Sequence, residues 1–541
     1  MYAVIYEITE NAYNGSTKAF KSVDAGNNWF QISAGTYLGG YYNALGFVDQ
    51  GWYDLCIAVD PIDPDHVLIG NVELYRTTNG SDFSRVRPFG NDANGSLVHN
   101  DYHKLVFAAS DPDYLYIGCD GGIYKSTNRG YVAYSRNAGL ETLQFYRITA
   151  HPDNPEIIVG GMQDNGTART TDGGASWSWI NHSDGMECFF DKTDPDILYS
   201  SIQYGKLYKS SNGGNTFGLL GNLDGAWTTP FLTHPANHDI IYAATKHIKK
   251  SVNGGWVFEI IAPNVSPAYI STMAQSHVNP NNMIFGTGTD DPHHAVLFKV
   301  KISTDEGLTW TDVTSNIPCE SRWISRVATD PADENTMYVL RTGFSPGNKV
   351  WKTTDLGQTW TNISGDLPDL PVNDLFIDPG HPGHLYLAND IGIYLTTDGG
   401  EHWNYASEQI PYVPCMDFHY EKINNVPYLW IGTHGRSIYR TRLDDGEGVE
   451  LAVGGQRPAV SVVPNPAREI SDIRYQISDI RYVVLNIHDI WGREIRTLVN
   501  EIQSPGEYTV SFDASVLPAG IYVVRLETEG AFASTKMVVM K

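Results

Sequence analysis

The sequence predicts an all-β chain: a multi-bladed β-propeller of four-stranded antiparallel blades, about ten of them, followed by a small immunoglobulin-like β-sandwich. Three observations carry that expectation. One short phrase returns nine times at a mean spacing of about 47 residues, and repeats of roughly 40 to 50 residues made of short strands indicate propeller blades. Gly is 52 of 541 residues and aromatics are 12%, while only 18% are charged, a balance that suits a turn-rich β protein and excludes coiled coil, collagen and bulk disorder. The repeat then stops at Leu443, and the last 84 residues carry a different strand pattern.

The repeated phrase begins at Ser22-Val-Asp24-Ala-Gly26-Asn-Asn-Trp29 and Thr170-Thr-Asp172-Gly-Gly174-Ala-Ser-Trp177. It returns at Ser303 to Trp310, Thr353 to Trp360 and Thr396 to Trp403, with weaker copies at Thr77 to Phe83, Ser126 to Tyr131, Ser210 to Phe217 and Ser251 to Phe258. Its chemistry is local: the Asp or Asn accepts from N–H groups of its own turn, the Gly takes a positive φ, and the aromatic residue closes the hairpin. The nine acids and amides are therefore read as scaffold, not as calcium ligands. Five of the tryptophans (29, 177, 310, 360 and 403) become architectural, which leaves Trp227 and Trp323 as the better ligand contacts.

A second phrase precedes each box, as in Asp60-Pro61, Asp111-Pro112, Asp194-Pro195, Asp330-Pro331 and Asp378-Pro379. Each blade then reads as an inner strand ending near this phrase, a β-branched and aromatic second strand, a tight turn, a third strand and an outer strand after the box. The chain opens on a second strand, Tyr2 to Glu7, and the repeats close on a hairpin at residues 427 to 443. The expectation is that residues ahead of Met1, including a signal peptide, complete the ring, because an inner strand is missing at the start and an outer strand at the end, while MYAVIYEITENAYNG itself has neither a basic start nor a long apolar run.

The phrase resembles the Asp-box, or bacterial neuraminidase repeat. Two ring sizes fit. A single ten-bladed ring is similar to the sortilin ectodomain, whereas the tandem seven-bladed propellers of glycoside hydrolase family 74 would make Met1 to about Gly139 the tail of another propeller. The expected domains are 1–443 as the Asp-box propeller, 444–457 as an acidic, Gly-containing linker and 458–541 as the sandwich.

The last unit resembles the type IX secretion C-terminal sorting domain through Asn465-Pro466, Gly492-Arg493, Gly506, Leu517-Pro518-Ala519-Gly520-Ile521-Tyr522 and Lys536. That resemblance implies export by the type IX machinery to a secreted or outer-membrane-attached state. Within it ISDIRYQ at Ile470 to Gln476 is followed directly by ISDIRY at Ile477 to Tyr482. A seven-residue duplication in a continuous strand flips every later side chain, so one copy is expected to form a bulge, bend or loop.

The formal charge of −25 comes without a basic cluster, which excludes nucleic acid as a partner. No run approaches 18 apolar residues, so no transmembrane helix is expected. The five cysteines are scattered and lack C-x-x-C spacing, so they read as core residues. No cofactor is called for, and whether a metal binds is left open.

Function is expected on the face of the propeller formed by second-third turns and inner-strand entries, opposite the boxes. Its candidates are His99, Asp101 and His103 of an H-x-D-x-H run, Asp120 in GCDGGIY, Gln163, Asp164 and Asn165 in QDNG, and Tyr146, Asp184, Trp227, Arg322, Trp323, His434 and Arg436. In an extended segment residues i, i+2 and i+4 share a face, so the H-x-D-x-H side chains could address one metal or form one hydrogen-bonded network. Aromatic faces stack on sugars and carboxylates bond hydroxyls, which favours a surface propeller binding extracellular polysaccharide or protein. The alternative is a glycoside hydrolase acting on a plant-type β-glucan such as xyloglucan, with Asp120 and Asp164 as its carboxylates. Phe145-Tyr146-Arg147-Ile148 resembles the sialidase F/Y-R-I-P motif, but Thr149 replaces its Pro and no arginine triad accompanies it, so sialidase activity is not expected.

Overall fold

The computed structural model describes residues 1–11, 14–33, 38, 41–43, 46–86, 98–137, 139–288, 298–318, 323–407, 410–443, 460–477, 481–489, 493–504, 506–528 and 531–540. The expected linker and Arg322 lie outside them. The chain divides into two compact units: Met1–Thr142 with the turn Gln163–Asn165, and Leu143–Met162 with Gly166–Lys541.

The first unit holds three blade-like sheets. One has three strands (Tyr2–Asn11, Asn14–Lys21, Phe30–Gln31), and two have four, opening on Cys56–Val59 and on Tyr102–Ala108. In the strand Asp111–Cys119, Leu115, Ile117 and Cys119 are buried while Tyr116 is exposed, the two-residue period of a sheet covered on one face. Val67–Gly70 is buried at every position because sheets pack on both of its faces. Leu68 and Leu74 meet Leu105 and Leu115 on one side, and Val67 and Ile69 meet Ala19 on the other.

The second unit contains seven further sheets whose inner strands are Phe145–His151, Gly185–Phe190, Phe231–His234, Ile270–Gln275, Ile324–Thr329, Val372–Ile377 and Cys415–Ile423. Every sheet is antiparallel with its strands in chain order; the first six have four strands and the last has three. Each neighbouring pair of blades has its own apolar cluster, from Val159 against Cys188 and Phe190 to Ala388 against Ile431 and Tyr439. The last cluster closes the circle: Phe145, Ile148 and Ile158 of the first blade pack on Trp430 and Ile438 of the seventh.

Among the described residues the two end blades share only a lone bridge, Gln144 to His434, and the Gly435 N–H on the Leu143 carbonyl at 3.0 Å. Side chains add to it: Ile148 donates its N–H to Asp417 Oδ2 at 2.9 Å, and Arg440 reaches Glu156 Oε1 and the Pro155 carbonyl, each at 2.9 Å. The span 1–443 thus holds two units, because the inner strand Phe145–His151 is already covered by the blade that ends the repeat. Of the two ring sizes open to the sequence, residues 143–443 form a closed ring of seven.

The boxes have the expected local chemistry. The Oδ1 of Asp172, Asp305 and Asp355 accepts the backbone N–H four residues on at 2.9 Å, and the Asn boxes 128, 212 and 253 repeat the bond at 2.8 to 3.0 Å. A Ser or Thr opening each of these boxes accepts from the Gly N–H, as in Gly307 to Ser303 Oγ at 2.9 Å, and Gly307 needs φ +83° to present it. Trp310 and Trp360 donate Nε1–H to the carbonyl of their box glycine.

The C-terminal part pairs a three-stranded sheet (Val460–Val463, Ile470–Ile477, Gly506–Asp513) with a four-stranded one (Glu494–Gln503, Arg481–Asp489, Gly520–Thr528, Ala531–Val539). Ile473 and Tyr475 from one sheet and Val483, Leu485, Ile487, Val524 and Leu526 from the other make a shared core. The duplicated heptad does not run as one strand. Its first copy lies in Ile470–Ile477, and the described end of the second, residues 481 and 482, belongs to the opposite sheet. The expected bulge or bend falls at 478–480, outside the described residues.

Candidate functional site

Three stretches far apart in sequence meet in the first unit: His99 to His103, the turn at Asp120, and the turn Gln163–Asn165. The segment before Tyr102–Ala108 is tied to the preceding blade, with Asp101 N–H on the Val72 carbonyl (3.1 Å) and Tyr102 N–H on that of Asn71 (2.9 Å). Asp120 N–H returns to the Asp101 carbonyl at 3.3 Å. Asp101 and Asp164 both adopt positive φ, 62° and 56°, which Asp tolerates better than most residues. GCDGGIY needs its glycines here: a Cβ on Gly121 would collide with the side chain of His99.

The carboxylate of Asp120 is the centre of the arrangement. His103 Nε2 lies 2.6 Å from its Oδ1, and Tyr53 donates to Oδ2 at 3.3 Å. The Tyr53 ring meets His103 edge-on at 4.8 Å, and exposed Trp52 follows at 5.8 Å. Burial, then the Asp120 charge, pushes the Tyr53 phenol up, so it remains a donor. Asn165 Nδ2 donates to the Asp120 carbonyl at 3.0 Å, and Gln163 Nε2 to Asp164 Oδ1 at 2.9 Å.

Both nitrogens of His99 face carbonyl oxygens, Asn100 at 3.0 Å and Asp164 at 2.9 Å. The H-x-D-x-H side chains therefore do not converge on one metal as the extended spacing allowed. His99 ties two loops together, His103 serves Asp120, and the positive φ of Asp101 breaks the extended register.

Asp101 turns to a residue that sequence reasoning missed. Asp54 is completely buried, and among the described residues no donor meets either of its oxygens or Oδ1 of Asp101. Asp101 lies beside it, close enough for each charge to act on the other. Burial, then the Asp101 charge, pushes Asp54 up to about 9; burial, then the Asp120 charge, pushes Asp101 up to about 6. Two facing carboxyls require a positive species between them, a proton or a cation. Tyr53 and Asp54 could have been found by aligning entries to inner strands, since Gly51-Trp-Tyr-Asp54 precedes Cys56 as Asp101 precedes Tyr102.

The remaining candidates lie in the second unit. Trp227 donates Nε1–H to Tyr146 Oη at 3.3 Å, the Tyr204 ring meets Trp227 edge-on at 5.4 Å, and His434 tilts against Tyr146 at 5.8 Å. His434 also bridges to Gln144, and burial lowers its basicity. Arg436 and Trp323 are exposed. Asp184 is buried and accepts a bond from Gln203 Nε2.

The ring also has a charged axis, which the sequence reading touched at Arg147 of the sialidase-like phrase. Its inner strands line a cavity of about 270 Å³ with Glu187, Phe189, Thr272, Arg326, Asp417 and His419 among its walls. Arg326 forks onto Asp374 and also meets Asp417, while Arg147 lies 3.0 Å from Glu187 and 3.7 Å from Asp417. Burial raises Asp417 and Glu187 against the pull of these arginines, and it takes His419 down to about 3, leaving that ring neutral.

Comparison with known proteins agrees with this architecture. Residues 298–428 match the family model described as sortilin, neurotensin receptor 3, and residues 461–540 match the secretion system C-terminal sorting domain. A xyloglucanase of Acetivibrio thermocellus is 31% identical over 104 residues, 17% of this chain and 12% of its own length. The chain thus spans about an eighth of that relative. Solved structures similar to it include a family 74 enzyme of Niastella koreensis (15% identity, 83% of each chain, TM-score 0.35). YCF48 of Cyanidioschyzon merolae is 14% identical, with 57% of this chain and 97% of that one covered and a TM-score of 0.42. The extracellular domain of a putative hybrid two-component system from B. thetaiotaomicron is 12% identical, with 99% and 72% covered and a TM-score of 0.43.

The fold and the boxes define an Asp-box β-propeller, of which residues 298–428 are similar to the sortilin family model. The chain carries a type IX secretion sorting domain and is exported by that route to a secreted or outer-membrane-attached state. Among the described residues no helix is long and apolar enough to cross a membrane.

Proposed function

We propose that the first unit binds an extracellular glycan on the face built from Trp52, Tyr53, His103 and Asp120. The observation that carries this reading is the Tyr53–Asp120 bond beside two exposed aromatic rings: a sugar ring stacks on an aromatic face while its hydroxyls bond carboxylate and carboxamide groups. Gln163, Asp164 and Asn165 supply further acceptors and donors on the same unit. The test is a glycan and peptide array with the whole chain, followed by calorimetry on the best glycan. Tyr53→Ala and Asp120→Asn are each expected to weaken binding at least tenfold. Binding to peptides alone, or equal affinity in both variants, would overturn the reading.

A second reading, hydrolysis of a β-glucan, is favoured by the 31% identity to a xyloglucanase over 104 residues. Asp120 and Asp164 would be its two carboxylates, flanking the scissile bond as glycosidases require. Release of reducing sugar from xyloglucan by the wild type, lost in Asp120→Asn, would move the assignment from binder to enzyme.

A further inference from the structure

The buried pair Asp54–Asp101 is unlike every other buried acid with hydrogen bonds described above. Asp417 and Asp374 each receive backbone N–H groups and arginine, and Asp120 receives imidazole and phenol. Asp378, which shares a ligand-like group with His381 and His384, is satisfied by Gly380 N–H at 2.8 Å and His381 Nδ1 at 2.9 Å. Asp54 has no such donor on either oxygen although it is fully buried, and Asp101 Oδ1 has none. A carboxylate buried without donors is strongly disfavoured unless a counter-charge sits against it.

The candidate counter-charges can be narrowed by chemistry. Among the described residues no lysine or arginine is ion-paired to Asp54, Asp101 or Asp120; the only such pair is His103 with Asp120. The neighbouring histidines use Nε2 on Asp120 and on the Asp164 carbonyl. Nitrogen and thiolate ligands of the zinc type are therefore not what the pair offers; it offers carboxylate oxygens alone, the preference of a hard cation. The acids around it, Asp120 and Asp164, add negative potential that raises the local cation concentration.

We propose that Asp54 and Asp101 together hold a divalent cation of the calcium class, which fixes the 99–103 segment that presents His103 to Asp120. Water and carbonyl oxygens complete its shell. The export of the chain places it where calcium is plentiful, and extracellular calcium modules bind at about 10⁻⁴ to 10⁻³ M. The proposal is independent of what the Tyr53 face binds, and its test is run without saccharide.

The experiment uses the full chain stripped with chelator, then titrated with CaCl₂, MgCl₂ and ZnCl₂ by calorimetry, and with Tb³⁺ while exciting Trp52 and Tyr53. Calcium is expected to bind, with Tb³⁺ luminescence sensitised and then displaced by calcium. Asp101→Asn and Asp54→Asn are each expected to lower both signals at least tenfold. Asp101 is the less buried of the two, so its variant carries the test if Asp54→Asn does not fold. No calcium binding by the wild type, or unchanged binding and luminescence in Asp101→Asn, would overturn the proposal and leave a shared proton between the carboxyls.

Discussion

Arg326 grips Asp374 through Nε at 2.5 Å and Nη2 at 2.9 Å, and the same Nη2 also reaches Asp417. The three residues sit on the inner strands of the fifth, sixth and seventh blades, and Asp417 passes the chain of charge to Arg147 of the first. The linkage therefore crosses the point where the ring's two ends meet. Removing one member leaves a buried charge without its partner, which typically costs about 3–5 kcal/mol. Asp417→Ala is expected to lower stability by that order, measured by urea denaturation of the ring. Arg326→Lys should fall between it and wild type, because an ammonium cannot reproduce the fork.

The nine boxes contain a natural substitution series. At Asp305, Oδ1 accepts from Thr309 N–H and Ser303 Oγ while Oδ2 takes the Thr309 hydroxyl at 2.6 Å. At Asn212 the same positions are filled, with Nδ2 donating to Thr216 Oγ1 at 2.9 Å. Asp305→Asn is thus expected to change stability by less than about 0.5 kcal/mol, whereas Asp305→Ala removes three bonds worth about 0.5–1.5 kcal/mol each. Paired thermal melts of the two variants decide it.

The contrast between boxes and ring closure explains what the sequence revealed. A box is legible because the recurring bonds of its turn, made by the Asp or Asn and by the Ser or Thr that opens it, span four residues or fewer. The closure pairs Arg440 with Glu156 across 284 positions, and nothing in either blade's own pattern marks that partner. The candidate face was legible by position, since turns and strand entries line it, and His99, Asp101, Asp120 and Asp164 do meet. Asp54 holds the same kind of entry position ahead of Cys56, yet its importance arises from burial, which no local phrase marks. The axial charges Arg147, Glu187, Arg326 and Asp417 sit inside strands that otherwise read as core, where a lone charge gives no sign of its partner.

Acid should weaken the propeller in a defined window. Hydrogen bonds from their own turns hold Asp24, Asp355 and Asp398 below the ordinary carboxylate range. A depressed carboxylate contributes stability above its unfolded pKa, about 3.9 for Asp, and that contribution is lost as pH falls through the folded value. Melting temperature is therefore expected to fall from about pH 4 downward. His402 has the opposite sign: Asp398 raises it, so its contribution is present below about 6.5 and fades as pH rises through the folded value. Thermal melts from pH 2 to 8, repeated with Asp355→Asn and Asp398→Asn, should show a shallower acid limb in the variants.

Two glycines test the packing between blades with opposite signs. Gly161 lies at the interface of the first and second blades, where an added Cβ would strike the backbone of Gly185 and Met186. Backbone cannot swing aside as a side chain can, so Gly161→Ala has to push the blades apart, at a cost of about 1–3 kcal/mol for overpacking. Gly218 opens the outer strand Gly218–Asn222, is exposed, lacks a positive φ, and has nothing within 4 Å of an added Cβ. There the substitution acts only through the unfolded chain, and Gly218→Ala is expected to stabilise by about 0.4–1 kcal/mol. Chemical denaturation of both variants measures the pair. Equal effects would mean that the seven blades are not held at the close approach that Gly161 permits.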